Sequence, residues 1–309
     1  MKAIVLVGGE GTRLRPLTYT TPKQLLPVAG TLMLERVVTQ LAAHGVDEVV
    51  LSMGYRPAAF IEAYPDDTCA GVAVRYVVES EPLDTGGAIA YAADDAGVRD
   101  RFLVVNGDVL TDANFTELVL HHIDSGALTT IGLTPVDDPS RFGVVVTDDT
   151  GRVTAFIEKP PAGSAPTNLI NAGIYVMEPA ALDIIERGRR VSVEREVFPA
   201  MVDQGSLFAF ACDGYWIDTG NPVSYIQANV DFGGSPVIDA TAKVDDDAVV
   251  VESVVHAHAV IEAGARVDHS IVGANAVIGA GAVVRDYSVI GPGAEVAPGA
   301  EIVGQQVGA

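Results

Sequence analysis

Apolar residues follow two alternating rhythms over roughly the first three quarters of the chain. Residues 3–7 form a short continuous apolar run, the pattern of a strand buried on both faces. Leu34, Val37, Val38, Leu41 and Ala42 then recur at helical spacing, and Gly45 follows as a stop. Residues 48–53 and 72–78 read as further strands, 88–96 as a helix, 102–105 as a buried strand and 115–123 as another helix. Strands alternating with helices predict a Rossmann-like α/β fold, a mostly parallel sheet covered on both faces. In such a sheet ligands bind beyond the carboxyl ends of the strands. After about residue 128 the pattern becomes richer in strands, with runs at 129–133, 143–147, 153–157 and 173–177.

Phe232-Gly233-Gly234-Ser235-Pro236 reads as a boundary, so the expected domains are residues 1–232 and 237–309. Beyond it the period changes. Aliphatic residues recur at 238, 244, 250, 255, 261, 267, 272, 278, 284, 290, 296 and 302, a spacing of six with two intervals of five. This is the hexapeptide repeat of a short left-handed parallel β-helix. One aliphatic side chain per short strand points inward, and Ala and Gly let the chain turn each corner. Three hexads close one triangular coil, so twelve anchors predict about four coils.

Composition narrows the partners. Lys and Arg total 19 against 41 Asp and Glu, a formal net charge of −22, which argues against nucleic acid or an anionic membrane. Cys69 and Cys212 are the only cysteines, too few for a disulfide framework or a metal knuckle. The apolar run at residues 3–7 is shorter than a signal peptide requires. The expectation is a protein of the reducing cytoplasm.

Against this acidity, residues 7–28 read VGGEGTRLRPLTYTTPKQLLPV and gather Arg13, Arg15 and Lys23 beside Gly8, Gly9 and Gly11. A glycine-rich turn after a buried strand lets backbone N–H groups approach an anion. The loop lacks the Gly-Lys-Ser/Thr ending of the ATPase phosphate loop. It also fails the dinucleotide fingerprint, which would need glycine at Leu14. Arg13 offers a planar fork for phosphate and Lys23 a point charge, with Pro16 and Pro22 stiffening the stretch.

This stretch resembles the signature of the sugar-1-phosphate nucleotidyltransferases. Four further blocks look like the family's and fall in its order: Asn106-Gly107-Asp108, Phe156-Ile157-Glu158-Lys159-Pro160, Asn171-Ala172-Gly173-Ile174-Tyr175 and Trp216-Ile217-Asp218-Thr219-Gly220. The β-helix tail also occurs in several branches. The resemblance implies that a nucleoside triphosphate and a sugar 1-phosphate react to an NDP-sugar and pyrophosphate. It implies catalytic roles for Arg13 and Lys23, with Gly8, Gly9, Gly11, Thr12, Thr85, Gly86 and Gly87 also on the nucleotide. Gly143, Glu158, Lys159 and Asn171 would take the sugar phosphate. Asp108 and Asp218 would hold Mg²⁺, which accepts one or two carboxylates and fills its shell with phosphate oxygens and water.

Each assignment has a plainer alternative. Asn-Gly-Asp is good turn chemistry, and Asp218 could cap the helix that follows. Thr85 suits an N-cap, and Glu158 with Lys159 suits an exposed ion pair. Lys159 precedes proline, which predicts an extended backbone there. His256 and His258 on the β-helix raise acyl transfer as a rival activity, but both are expected at a solvent-facing corner. His121 and His122 read as a helix face, and Trp216 as packing.

Residues 106–112, 192–199 and 85–87 resemble the mannose-1-phosphate guanylyltransferase branch. That ranks GTP and mannose 1-phosphate first. Gln24 stands where that branch commonly has proline. Its presence resembles thymidylyltransferases, which rank second, ahead of uridylyl and adenylyl transfer. A non-catalytic regulatory subunit is the rival class. Retention of Lys23, Asp108, Lys159 and Asp218 argues against it. A short solenoid needs its ends covered, and the expectation is a homo-oligomer.

Overall fold

The computed structural model describes residues 1–54 and 56–308. The chain forms two compact units, one of Met1–Gly8 with Glu35–Trp216, the other of Gly9–Leu34 with Ile217–Ala309.

The first unit is built on a ten-stranded sheet. Phe102–Asn106, Lys2–Leu6, Glu48–Met53 and Val72–Val78 lie side by side in that order, all parallel. The first three have aliphatic interiors buried on both faces, as parallel strands under helices require, whereas Val72–Val78 alternates buried and exposed positions. The later, strand-rich stretch adds antiparallel neighbours. Leu169–Met177 runs antiparallel to Phe102–Asn106, and the Gly143–Thr147/Val153–Glu158 pair extends that edge. Thr129–Pro135 also pairs antiparallel with Leu169–Met177, and Leu207–Ala211 joins it in parallel. The sheet is therefore parallel at its centre and mixed toward one side, with Thr68–Cys69 antiparallel at the opposite edge; the short turn between Gly143–Thr147 and Val153–Glu158 permits only antiparallel pairing of those two strands. Ile4, Val50, Ile89, Phe102, Tyr175 and Phe198 anchor its core, each at most 1% exposed. Full burial of such a side chain stabilises by about 1.5–3 kcal/mol.

The second unit contains the β-helix. Its strands, two or three residues long, stack into three parallel sheets of five, four and four strands. Ile238, Val255, Val272 and Ile290 lie in one ladder, and Val307 adds a fifth rung. Val244, Ile261, Ile278 and Val296 form the second ladder, and Val250, Val267, Val284 and Ile302 the third. All twelve spaced aliphatics thus fall on rungs of a left-handed parallel β-helix. Those of the central coils are fully buried, with Ala259, Ala265, Ala276 and Ala282 filling the corners. The helix Pro222–Gly233 also belongs to this unit. Asn221 caps it by accepting from the Ser224 N–H at 3.1 Å. Among the described residues no helix is long and apolar enough to cross a membrane.

Candidate active site

In the first unit, the carboxyl ends of the parallel strands gather one group of candidates. Leu6 is in register with both Asn106 and Ser52, which brings Gly8 and the Gly107–Asp108 turn to the same edge of the sheet. The Gly107 N–H donates to the Leu6 carbonyl at 3.0 Å, and a Cβ on Gly107 would come within 2.7 Å of Val7. That close approach fixes where the half-buried Asp108 leaves the strand. Gly173 takes a left-handed φ of 72° and packs against the Asn106 side chain, which a Cβ there would strike at 2.5 Å.

The same end of the sheet brings Gly143, Glu158, Lys159 and Asn171 together. Gly143 is in register with Glu158, and the next residue, Val144, with Ile170. A Cβ on Gly143 would lie 2.5 Å from the Phe156 ring and 3.1 Å from Glu158 Oε2. Asn171 Nδ2 donates to the Tyr175 hydroxyl at 3.0 Å, while its Oδ1 accepts the Gly173 N–H at 2.9 Å. Burial pushes the Tyr175 phenol up, so it remains protonated. Lys159 Nζ lies 3.2 Å from Glu158 Oε1 with its side chain largely exposed. The expected extended backbone at Lys159 is not found. Its φ is +48°, and its N–H donates to the Phe142 carbonyl at 3.0 Å. That bond turns the chain out of the strand and overrides the local preference set by Pro160. Trp216 packs edge-on against Phe142, and its Nε1–H donates to the Ala172 carbonyl at 2.9 Å.

Thr85, Gly86 and Gly87 form their own cluster inside the first turn of the helix Asp84–Asp95. Leu83 occupies the N-cap position, so Thr85 does not cap. Instead its hydroxyl donates to Glu194 at 2.7 Å and accepts the Val193 N–H at 2.9 Å. The two glycines let the helix approach the 189–193 backbone: a Cβ on Gly86 would lie 3.0 Å from the Val191 carbonyl, and one on Gly87 3.2 Å from that of Arg189. Glu194 was not legible beforehand, because its partner is more than a hundred residues away in sequence.

In the second unit, the signature loop folds into tight turns. Gly11 takes φ 63°, and a Cβ there would meet Thr18 at 3.0 Å and Lys23 at 3.3 Å. At Gly9 a Cβ would meet nothing within 4 Å, so its backbone is open to close approach. The Thr18 hydroxyl donates to the Gly11 carbonyl at 2.9 Å and ties the glycine turn to the Lys23 stretch. Thr12 and Arg13 are exposed, in the short helical turn Thr12–Leu14. Lys23 is 8% exposed. Arg15 is occupied structurally: it donates to Glu10 at 2.7 Å and stacks over Tyr19. Arg13 differs. A Cβ on Gly220 would lie 2.5 Å from Arg13 Nη2 and 2.8 Å from Asp218 Oδ1, so guanidinium and carboxylate flank this glycine. Asp218 accepts the Gly220 N–H at 2.8 Å, and Asn221 caps the following helix in its place.

Two histidine expectations are corrected. His256 is not at a solvent corner but 7% exposed, with Nε2 3.3 Å from the Tyr225 hydroxyl. His122 is fully buried between Thr130 and Glu178 rather than on an open helix face, and burial followed by the Arg101 charge lowers its pKa. Among the described residues, no group of three or more His, Cys, Asp or Glu side chains could hold a metal. Asp108 in the first unit and Asp218 in the second are each hard oxygen donors, of the kind that suits a divalent ion completing its shell with phosphate oxygens and not a thiolate or imidazole metal.

The family described as nucleotidyl transferase matches residues 2–233, and the GMPPB C-terminal domain matches residues 219–308. The mannose-1-phosphate guanylyltransferase of Mycobacterium tuberculosis is 43% identical over 231 residues, 74% of this chain and 64% of that protein. The mannose-1-phosphate guanyltransferase of Candida albicans is 38% identical over 269 residues, 79% of this chain and 73% of that protein. The match thus spans less than two thirds of the first relative's length. HddC from Yersinia pseudotuberculosis, solved in complex with GMP-PN, superposes with a TM-score of 0.65 at 29% identity, covering 75% of this chain and 99% of that one. Sheet, motif order and kinship coincide over residues 2–233, and the chain belongs to the nucleotidyl transferase family.

Proposed function

We propose that this protein transfers a guanylyl group from GTP to mannose 1-phosphate, releasing pyrophosphate and forming GDP-mannose. The observation that carries the reading is the 43% identity to a mannose-1-phosphate guanylyltransferase over 231 residues. A phosphate oxygen of the sugar attacks the α-phosphorus, a new O–P bond forms, and the bond from the α-phosphorus to the bridging oxygen breaks as pyrophosphate leaves. Both reactants are polyanions, so catalysis is mainly positioning and charge neutralisation. Arg13 and Lys23 supply the clamp on the reacting phosphates. Gly8, Gly9, Gly11 and Thr12 supply the turn around them, and Thr85, Gly86 and Gly87 contact the nucleotide. Lys159 grips the sugar phosphate, Glu158 and Asn171 take sugar hydroxyls, and Gly143 admits the sugar to the backbone.

Members of this family generally use a divalent metal. We assign Mg²⁺ to Asp108 and Asp218; when bound it would neutralise phosphate charge as it develops. The catalytic domain in this reading is residues 1–232 and the β-helix domain 237–309. The protein works in the cytoplasm, consistent with two buried, unpaired thiols at Cys69 and Cys212. It self-associates; a monomeric mass at micromolar concentration in light scattering would contradict this.

The test is a matrix of four nucleoside triphosphates against sugar 1-phosphates with Mg²⁺, read as pyrophosphate. GTP with mannose 1-phosphate should give the highest kcat/KM. No release with any pair would leave only a binding role, and a preference for dTTP would transfer the assignment to thymidylyl transfer. Lys23→Ala should lower kcat about 10²–10³-fold, as loss of one transition-state clamp does.

A further inference from the structure

The signature loop and the β-helix belong to one compact unit, though more than two hundred residues separate them in sequence. The residue after each rung of the five-stranded ladder forms a column: Asp239, His256, Gly273, Gly291 and Gly308. Gly291 is absent from the left-handed backbone positions, so its conformation does not call for glycine. Its surroundings do. A Cβ on Gly291 would lie 2.7 Å from Cγ and 3.1 Å from Cβ of Pro16, and one on Gly308 3.0 Å from the same Cγ. Pro16 is buried, and it leads into Leu17 and Thr18, the residue that grips the Gly11 turn.

A second attachment lies at the other end of the loop. The Tyr225 hydroxyl donates to the Pro27 carbonyl. Asn229, 1% exposed, accepts the Ala29 N–H at 2.9 Å and donates to the Tyr225 carbonyl at 2.9 Å. His256 Nε2 stands 3.3 Å behind the Tyr225 hydroxyl. The tautomer protonated at Nε2 donates to that oxygen and leaves the tyrosine proton to Pro27. Lys23 lies between these two attachments, and Arg13 just before the first.

We propose that this column is the seat of the phosphate-gripping loop: Gly291 and Gly308 hold Pro16, while Tyr225, backed by His256, holds Pro27. These are positioning residues; they act through Arg13 and Lys23. The β-helix is then part of the catalytic apparatus and not only a module for assembly. The inference rests on the transferase reading for its kinetic consequence but not for its structural one.

The test uses full-length Gly291→Ala, Pro16→Ala, the double variant and Tyr225→Phe. Gly291→Ala should lower kcat at least tenfold with the KM for sugar 1-phosphate within about twofold. In the Pro16→Ala background the same substitution should cost less than about threefold. Tyr225→Phe should lower kcat several-fold. Hydrogen exchange supplies a readout independent of activity: in Gly291→Ala and Tyr225→Phe, peptides covering 11–28 should exchange at least tenfold faster, with those covering 261–290 unchanged. Unchanged loop exchange in both variants overturns the proposal, as does an undiminished Gly291→Ala effect when Pro16 is alanine. If the wild type turns over no substrate pair, the transferase reading fails alone and loop exchange decides the seat. Should Gly291→Ala not fold, Tyr225→Phe decides by the same two measurements.

Discussion

Lys159 places a charged side chain on a backbone that side-chain-bearing residues seldom adopt, at φ +48°. A left-handed residue other than glycine costs about 1–2 kcal/mol, and such strain tends to sit where a group must be aimed. Charge and strain can be separated. On the sugar-phosphate role proposed for Lys159, Lys159→Ala and Lys159→Gly should both raise the KM for sugar 1-phosphate with kcat little changed, as a contact equal in ground and transition states does. The glycine variant should also be about 1 kcal/mol more stable than the alanine one in urea denaturation, by relief of the φ. Gln24 poses a different question at this scale. It is 1% exposed, and among the described residues its Oε1 has no hydrogen-bond partner. A buried acceptor left unmet costs about 1–3 kcal/mol, a cost that pairing with a base N–H would remove. Gln24→Pro should therefore change the order of nucleoside triphosphates in the pyrophosphate assay. A mere fall in rate with the order kept would remove Gln24 from base selection.

At the scale of elements, the helix Phe115–Ser125 shows why so much of the fold was legible. Its apolar stripe marks its length, Asn114 accepts the Glu117 N–H at 3.2 Å as N-cap, and Gly126 closes it at φ 61°. Asn114→Ala should cost about 1 kcal/mol, measurable as a lower denaturation midpoint. The β-helix rungs were legible because their spacing has no local competitor. The antiparallel side of the sheet was less so, since an apolar run does not say which neighbour a strand takes. The candidate site was legible where glycine and charge fall close in sequence, as in residues 8–23. It was not legible where a contact spans the chain. Thr85 reads locally as a cap, yet its hydroxyl is taken by Glu194. His256 reads as a corner residue, yet the ring lies 6.1 Å from that of Tyr225 in the same unit.

For the whole molecule, buried imidazole links stability to acidity. Burial pushes His256 down to about 4 from an ordinary value of 6.5, against the opposing pull of Asp239. Between those values the unfolded chain binds a proton that the folded chain refuses. Stability is then full above pH 6.5 and is lost as pH falls toward 4, by up to about 3 kcal/mol. His122 shifts in the same direction. Urea denaturation at pH 7 and 4.5 should show a smaller acid loss in His256→Gln than in the wild type. Coil length sets a further property of the assembly. His256 and Gly273 stand 17 residues apart, and residues 257–260 and 274–277 read Ala-His-Ala-Val and Ala-Asn-Ala-Val. Excising 257–273 would keep every remaining aliphatic facing inward while shortening the stack by one strand spacing, about 4.8 Å. Such a protein should fold cooperatively and be nearly inert, because the solenoid serves as a ruler whose graduations fix how far apart the two ends of a distant loop are pinned.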